Sequence, residues 1–254
     1  MGSEKELYGL LLHVKHGKRD ELFEYAKGLI HKGGAIYTPN PIMLYDALKN
    51  EQLYSALMRG ICIPDGVGVK IGLSYIGLNT DVLPGVELAA MLLRDTPVRF
   101  AVIGGSPGRA EAAALALERE CQGSRCILAL DGYSFSKRQL ETALDIAKAD
   151  VVLVCLGSPR QELFIDSVRD KFKSSLFLGL GGSVDVYSGA KRRAPRSIRA
   201  LRLEWLYRML REPRRFSGVF RIAGFLHTAK RMRRYVKREE KYERFINKKS
   251  KNKL

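Results

Sequence analysis

This sequence of 254 residues lacks the signatures that would place it in a membrane or outside the cell. No stretch approaches the roughly 18–20 uninterrupted apolar residues of a membrane-spanning helix. No basic segment followed by an apolar one opens the chain, so no secretory signal is predicted. The four cysteines form no Cys-x-x-Cys pair. Cys62 and Cys155 lie in apolar runs, which favours buried free thiols in a reducing cytoplasm over disulfides.

Motifs of several enzyme classes are also absent. The chain has no Asp-x-Asp pair, Walker A or Gly-x-Ser-x-Gly motif, and its histidines lack ligand spacing, so we expect neither a metal nor a cofactor. Gly104-Gly105-Ser106 opens a helix, but Ser106 and Arg109 break the dinucleotide fingerprint. A nicotinamide-dependent oxidoreductase is therefore disfavoured, although Asp131 follows the next strand as a ribose-binding acid would. A phosphate site of another type and a simple tight turn remain open there.

The charge of the chain is distributed unevenly. Residues 189–254 hold 23 Lys and Arg against 5 Asp and Glu, whereas residues 1–188 hold 21 basic and 22 acidic residues. A neutral body with a basic end is suited to an anionic surface, which a membrane leaflet, a nucleic acid or a polyphosphate substrate would each provide.

Short apolar runs alternate with helix-length segments along the neutral part. This pattern predicts an α/β fold, with a Rossmann-like, mainly parallel sheet and helices on both faces. The predicted strands are Leu7–Val14, Ala35–Thr38, Gly60–Ile63, Val98–Ile103, Cys126–Leu130, Asp150–Leu156 and Ser175–Leu180. The predicted helices span approximately residues 18–32, 41–58, 67–77, 86–95, 107–120, 136–148 and 160–172.

The pattern changes after Ser188. The periodicity predicts an amphipathic helix over Ile198–Arg211, followed from about Ser217 to Phe245 by a segment that mixes apolar and basic residues. We therefore predict an α/β domain over residues 1–190, a basic helical appendage that associates with a membrane over 191–246, and a disordered Lys-rich tail over 247–254.

Five predicted strands end in loops rich in Gly, Pro, Ser and small polar residues. Ligands of parallel α/β sheets bind at the carboxyl ends of the strands, so we expect these loops to converge on one edge. The loops are Thr38–Pro41, Pro64–Gly66, Gly104–Pro107, Gly157–Gln161 and Gly181–Ser183.

Each polar residue of these loops has a chemical and a purely structural interpretation. Asp65 is placed to accept a proton from an attacking hydroxyl, or it forms an ordinary Asp-Gly turn. Thr38 and Asn40 hold a polar ligand, or Asn40 and the following proline cap a helix. Arg160 meets a phosphate and Gln161 a sugar or base edge, or both simply begin a helix.

Seven motifs resemble one family as a set. They are Thr38-Pro39-Asn40, Pro64-Asp65-Gly66, Gly157–Glu162, Gly181–Asp185, Arg193-Ala194-Pro195, Leu203–Arg208 and Glu212–Arg215. In order and spacing, from about residue 35 to 216, the chain is similar to the WecG/TagA/CpsF glycosyltransferases (family 26). Each motif alone is weakly specific, whereas the set is highly specific.

The resemblance implies an inverting, metal-independent transferase. Family members move a sugar, typically N-acetylmannosamine or its uronic acid, from a UDP donor to a sugar on a polyprenyl diphosphate in the cytoplasmic leaflet. The product serves wall teichoic acid, enterobacterial common antigen, or capsule and exopolysaccharide synthesis. A C-terminal appendage closes over the active site and touches the bilayer. We therefore expect a cytoplasmic, peripheral membrane protein that can form a homo-oligomer and does not bind nucleic acid.

The resemblance also assigns roles to residues. Asp65 would be the general base, and Thr38, Asn40 and Gln161 would orient the sugar or the acceptor. The residues expected around UDP are Gly104, Gly105, Tyr133, Gly181, Gly182 and Asp185, with Arg208 and Arg215 of the appendage at a diphosphate and Arg160 as a further phosphate ligand. The family commonly has Arg-Val-x-Gly where this chain has Val82-Leu83-Pro84-Gly85, so one expected arginine is missing.

A nucleic-acid-binding protein is the second interpretation, because the basic end would suit a phosphate backbone. It would leave the strand-end loops without a role. The basic segment also interleaves Phe220, Ile222 and Phe225, which suits partial insertion at a lipid interface.

Overall fold

The computed structural model describes residues 2–195, 197–198, 204–211 and 217–251. One six-stranded sheet, parallel throughout, has the strand order β2-β1-β6-β5-β3-β4. Its strands are β1 (Gly34–Tyr37), β2 (Ile61–Cys62), β3 (Arg99–Gly104), β4 (Arg125–Leu130), β5 (Val151–Cys155) and β6 (Leu176–Gly179). The predicted α/β fold with a mainly parallel sheet is confirmed.

Helices connect the strands and cover both faces of the sheet. Those before β3 are α1 (Gly2–His13), α2 (Arg19–Lys27), α3 (Pro41–Ala47), α4 (Glu51–Arg59), α5 (Val67–Ser74) and α6 (Gly85–Asp95). Those after it are α7 (Arg109–Glu120), α8 (Lys137–Ala147), α9 (Arg160–Val168), α10 (Ser183–Tyr187), α11 (Glu204–Arg211) and α12 (Ser217–Lys251).

The sheet separates two apolar cores, and its central strands contribute to both. Every residue of β5 is buried; Val152 and Val154 join one core, whereas Val151 and Leu153 join the other. The first core receives side chains from α1, α3, α4, α5, α8, α9 and α12, and the second from α2, α6, α7 and α10. Cys62 and Cys155 are buried and free, as the sequence predicts.

The predicted strand Leu7–Val14 is wrong, because this segment forms most of helix α1. Leu7, Leu10, Leu11 and Val14 are at most 1 % exposed, and their spacing places them on one face of a helix. Val14 alone makes an isolated parallel bridge, with Cys62. A continuous apolar run of this length fits a buried strand or a buried helix, and helical packing decides here.

The predicted helix over residues 41–58 is two helices in the structure. The chain leaves α3 after Ala47, and Asn50 caps α4 by accepting a hydrogen bond from the backbone of Leu53 at 3.0 Å. Asparagine favours a helix N-cap over a helix interior, which explains the break.

Helix α12 packs into the first core of the α/β fold. Phe225, Ala229 and Met232 on one face are fully buried and belong to that core. Two ion pairs flank this face: Arg221 contacts Asp46 of α3 at 2.7 Å, and Arg231 contacts Glu4 of α1 at 2.7 Å. The predicted basic appendage therefore shares a core with the domain before it, and its boundary at residue 190 stays a prediction.

The last helix is described to Lys251, and the disorder expected over residues 247–254 stays a prediction. Among the described residues, no helix combines the length and the apolar character needed to traverse a bilayer.

The docking of α12 predicts a difference between two of its phenylalanines. Phe225→Ala removes a fully buried ring and should lower the free energy of unfolding by about 3–5 kcal/mol. Phe220 is 81 % exposed, so Phe220→Ala should change it by less than about 0.5 kcal/mol. Denaturant unfolding of both variants measures this; equal effects would contradict the packing of α12.

Candidate active site

The strand-end loops meet at the carboxyl edge of the sheet and hydrogen-bond to one another. At the β2–β1–β6 side, the backbone N–H of Asp65 donates to the carbonyl of Pro39 at 3.0 Å. The hydroxyl of Thr38 donates to the carbonyl of Gly179 at 3.1 Å. These two bonds join the ends of three neighbouring strands.

Similar bonds join the loops at the opposite side of the edge. The N–H of Gly132, after β4, donates to the carbonyl of Gly105, after β3, at 2.8 Å. The guanidinium of Arg160, at the start of α9, donates to the carbonyl of Gly132 at 2.7 Å. The five loops that the sequence predicted to converge therefore lie along one edge.

Asp65 lies in a half-buried turn at the end of β2. Gly66 follows with φ +90° and precedes the first residue of α5, so the chain reverses sharply there. A cavity of about 200 Å³ opens next to this turn, lined by Arg19, Val67, Lys70, Asp81 and Val82. The role of Asp65 as a base stays a prediction.

Asn40 caps helix α3. Its side-chain oxygen accepts a hydrogen bond from the backbone of Met43 at 3.0 Å, and Pro41 occupies the first helical position. The helix-capping interpretation is confirmed, and contact of Asn40 with a ligand stays a prediction.

The Gly104-Gly105 loop brings backbone close to the next strand. A Cβ on Gly104, which has φ +132°, would lie 2.2 Å from the carbonyl oxygen of Cys155. Gly105 has φ +77°, and a Cβ there would lie 2.8 Å from the Cβ of Arg109. Only glycine fits both positions without strain or a clash.

Tyr133 stands out from the loop that follows β4, with 76 % of its surface exposed. The loop is held by Asp131, whose carboxylate accepts from the backbone N–H groups of Tyr133 and Ser134, both at 2.8 Å. These bonds lower the pKa of Asp131. The carboxylate that a dinucleotide site would use for ribose is therefore engaged in the loop itself.

Gln161 and Glu162 form a buried polar pair between β5 and β6. The amide nitrogen of Gln161 donates to Glu162 at 2.7 Å, and its oxygen accepts from the backbone N–H of Gly181 at 2.7 Å. Gln161 is 1 % exposed, so these contacts hold the Gly181 loop; contact of Gln161 with a sugar stays a prediction. Gly181 itself has φ +55°.

Glu162 is fully buried, and within the described part of the chain one of its carboxylate oxygens has no hydrogen-bond partner. Burial raises the pKa of Glu162, although hydrogen bonding to Gln161 and Ser158 offsets part of this effect. The sequence motif contains Glu162, but sequence reasoning assigned it no role because its burial is a property of the fold.

The structure describes the remaining predicted site residues to different extents. Gly182 is exposed, and Asp185 on α10 pairs with Lys191 at 3.1 Å. The backbone of Arg208 lies in α11, whereas Arg215 lies outside the described residues. Across the described ranges, no three His, Cys, Asp or Glu side chains come together as a metal site would require.

The segment Val82–Gly85, which lacks the arginine expected for the family, is contacted by an arginine from a distant part of the chain. Arg19, at the start of α2, donates a hydrogen bond to the carbonyl of Val82 at 3.3 Å and contacts Glu87 at 2.5 Å. Glu87 also binds Arg193 at 2.8 Å. Sequence reasoning missed Arg19 and Glu87, because partners more than 60 residues apart in sequence leave no local pattern.

Comparison with known sequences decides the family. The family described as "Glycosyl transferase WecG/TagA/CpsF family" matches residues 8–241. The chain belongs to this family of glycosyltransferases. The resemblance of the motifs is thereby confirmed, and the match reaches well into α12.

Three bacterial proteins illustrate the likeness. Each is described as an N-acetylglucosaminyldiphosphoundecaprenol N-acetyl-beta-D-mannosaminyltransferase. The protein of Bacillus spizizenii is 31 % identical over 201 residues, covering 77 % of this chain and 78 % of the relative. That of Bacillus subtilis is 29 % identical, with 77 % and 78 % covered. That of Staphylococcus aureus strain MRSA252 is 30 % identical, with 80 % and 82 % covered.

The buried carboxyl group of Glu162 predicts a pH dependence of stability. Its folded-state pKa is raised, so the contribution of Glu162 to the free energy of unfolding should fall as pH rises from about 4 towards 7, since ionisation then favours the unfolded chain. Glu162→Gln keeps an acceptor for Gln161 and cannot ionise. The variant should therefore gain stability relative to wild type over this range, as measured by denaturant unfolding at several pH values.

Glu111→Gln is the matched control, because Glu111 is exposed on α7. A stability difference between Glu162→Gln and wild type that stays constant with pH would contradict the effect of burial.

Proposed function

We propose that this protein transfers a sugar, N-acetylmannosamine or a related hexose or uronic acid, from a UDP-sugar to a sugar on a polyprenyl diphosphate. The reaction is inverting and metal-independent and serves teichoic acid or another cell-surface polysaccharide. The observation that carries the proposal is the arrangement of Asp65, Thr38 and the glycine loops along one sheet edge, in a chain of this family. The names of the bacterial relatives support the transferred sugar and the acceptor.

The donor lies at the β3–β4–β5–β6 side of the edge. The loops at Gly104-Gly105 and Gly181-Gly182 have little side chain, so the backbone can approach a nucleotide diphosphate closely. The exposed ring of Tyr133 offers a face on which uracil can stack. Arg160 and Asp185 lie beside these loops, and α11 supplies Arg208.

The acceptor lies at the β2–β1 side, where Asp65 performs the chemistry. The Asp65 carboxylate removes the proton of the acceptor hydroxyl while the hydroxyl oxygen bonds to the anomeric carbon. The bond from that carbon to the UDP oxygen breaks on the opposite face, and UDP leaves with the electron pair. One displacement of this kind inverts the anomeric configuration. The sequence has no Asp-x-Asp pair to hold a divalent cation, which supports metal independence.

The basic helix α12 brings the enzyme to the cytoplasmic face of the membrane, where the lipid acceptor is held. Apart from Arg231, which pairs with Glu4, the exposed basic residues on its described part are Lys230, Arg233, Arg234, Lys237 and Arg238. Each cation near an anionic leaflet contributes about 1 kcal/mol to membrane binding. Phe220 is exposed on the same helix and suits contact with lipid at the interface.

Replacement of the base tests the mechanism. Asp65→Asn keeps the shape of the side chain but removes the proton acceptor, so turnover should fall by about 10²–10⁴-fold while the UDP dissociation constant stays within about twofold. Acceptor-dependent UDP release and titration calorimetry measure the two quantities. Asp145→Asn, on the exposed face of α8, is the matched control. Near-wild-type turnover of Asp65→Asn would refute the assignment of Asp65.

A donor panel tests the reaction itself. Wild-type protein with a lipid-diphosphate-linked N-acetylglucosamine analogue, in EDTA, should release UDP from one UDP-sugar only when the acceptor is present. Equal release without the acceptor would indicate hydrolysis instead of transfer. No release with any donor, from protein shown to be folded, would overturn the proposed reaction. Saturable RNA or DNA binding at physiological salt would then favour the second interpretation.

A further inference from the structure

Four charged side chains form a continuous network between the sheet edge and helix α11. Glu87 of α6 accepts from Arg19 at 2.5 Å on one carboxylate oxygen and from Arg193 at 2.8 Å on the other. Arg193 also donates to both carboxylate oxygens of Glu204, the first residue of α11, from Nη2 at 3.1 Å and from Nε at 3.5 Å. One guanidinium therefore joins two carboxylates that are 117 residues apart in sequence.

The network is partly shielded from water. The side chains of Arg193, Glu87 and Glu204 are 17 %, 26 % and 21 % exposed, so their attraction is screened less than that of surface ion pairs. Burial alone would raise the pKa of Glu87, but hydrogen bonds from Arg193 and Arg19 outweigh burial and lower it. The adjacent Ala194 is 3 % exposed, which fixes the backbone next to Arg193.

The network stands at the edge of the sheet where the candidate active site lies. Gly85, the first residue of α6, packs so closely that a Cβ would lie 2.7 Å from the hydroxyl oxygen of Thr38 and 3.1 Å from a methyl group of Leu180. Thr38 and Leu180 follow β1 and β6 directly. Glu87 is two residues further along α6, so the start of α11 is attached beside the ends of these two strands.

We propose that Arg193 is a positioning residue that, held by Glu87, docks α11 against the first turn of α6 by binding Glu204. Arg208 lies four residues after Glu204, about one helical turn along α11. The contact between Arg193 and Glu204 therefore sets the position of the Arg208 backbone relative to the sheet edge that carries the candidate active site. The consequence for turnover rests on the proposed function, whereas the docking of α11 does not.

The only tryptophan of the chain provides a readout that does not depend on activity. Trp205 directly follows Glu204, so its fluorescence reports on the environment at the start of α11. Arg193→Ala should shift the emission maximum and change the rate of acrylamide quenching relative to wild type. Arg192→Ala removes the neighbouring, exposed arginine and should leave both unchanged.

Turnover should depend on the docking of α11. Misplacement of a charged group at a cleft typically costs on the order of tenfold to a hundredfold, so we expect such a loss of kcat/KM for UDP-sugar in Arg193→Ala. Arg193→Lys keeps the charge but cannot bind two carboxylates in the forked geometry, so it should fall between wild type and Arg193→Ala in both readouts.

Each outcome of these measurements is decisive. An unchanged Trp205 signal in folded Arg193→Ala overturns the docking contact, and a changed signal with undiminished turnover overturns the positioning role. An inactive wild type whose Trp205 signal still responds to Arg193→Ala supports the docking contact while overturning the proposed function. Thermal unfolding of each variant shows that it is folded before these readouts are compared.

Discussion

The parallel arrangement of the six strands is the constraint on which the rest of this molecule depends. It brings every strand-end loop to one edge, and hydrogen bonds between loops then connect neighbours across that edge. Some of these bonds are backbone bonds, as between Gly132 and Gly105, whereas others need a particular side chain, as Gly181 needs Gln161. Because each loop is held by the next, a change at one strand end should displace its neighbours.

The buried pair of Gln161 and Glu162 illustrates what this edge costs in stability. A carboxyl group without full hydrogen bonding in an apolar interior is unfavourable, and an apolar residue of similar volume would be expected to pack more stably. Glu162 nevertheless fixes the orientation of the Gln161 amide, because a carboxylate oxygen accepts only from the amide nitrogen. The amide oxygen must then face the backbone N–H of Gly181. A loss of stability thus accompanies a defined loop geometry.

Much of the fold and the candidate site could be predicted from the sequence, because strands, turns and caps have local signals. The strand-end loops and the capping of α3 by Asn40 are of this kind. Helix α1 was missed because Leu7–Val14 is apolar enough for either structure, and only its packing against neighbouring helices selects the helix. The Arg193–Glu87 contact has no local signal. The burial of Gln161 could not be predicted from the sequence either, because its motif is equally compatible with an exposed helix start.

Helix α12 has a buried face that packs against the core and an exposed face that carries cations, although in the sequence it reads as a single basic segment. Its buried face, at Phe225, Ala229 and Met232, fixes the helix to α1 and α3, and acidic residues of the neutral body bind Arg221 and Arg231. The other cations on the described part of this helix, such as Arg234 and Lys237, are exposed, while the helix packs against α1 and α3. In the proposed function, contact of this helix with an anionic leaflet would orient the whole domain as well as attract it. The position of α12 would then determine how the sheet edge with Asp65 faces a lipid-linked acceptor.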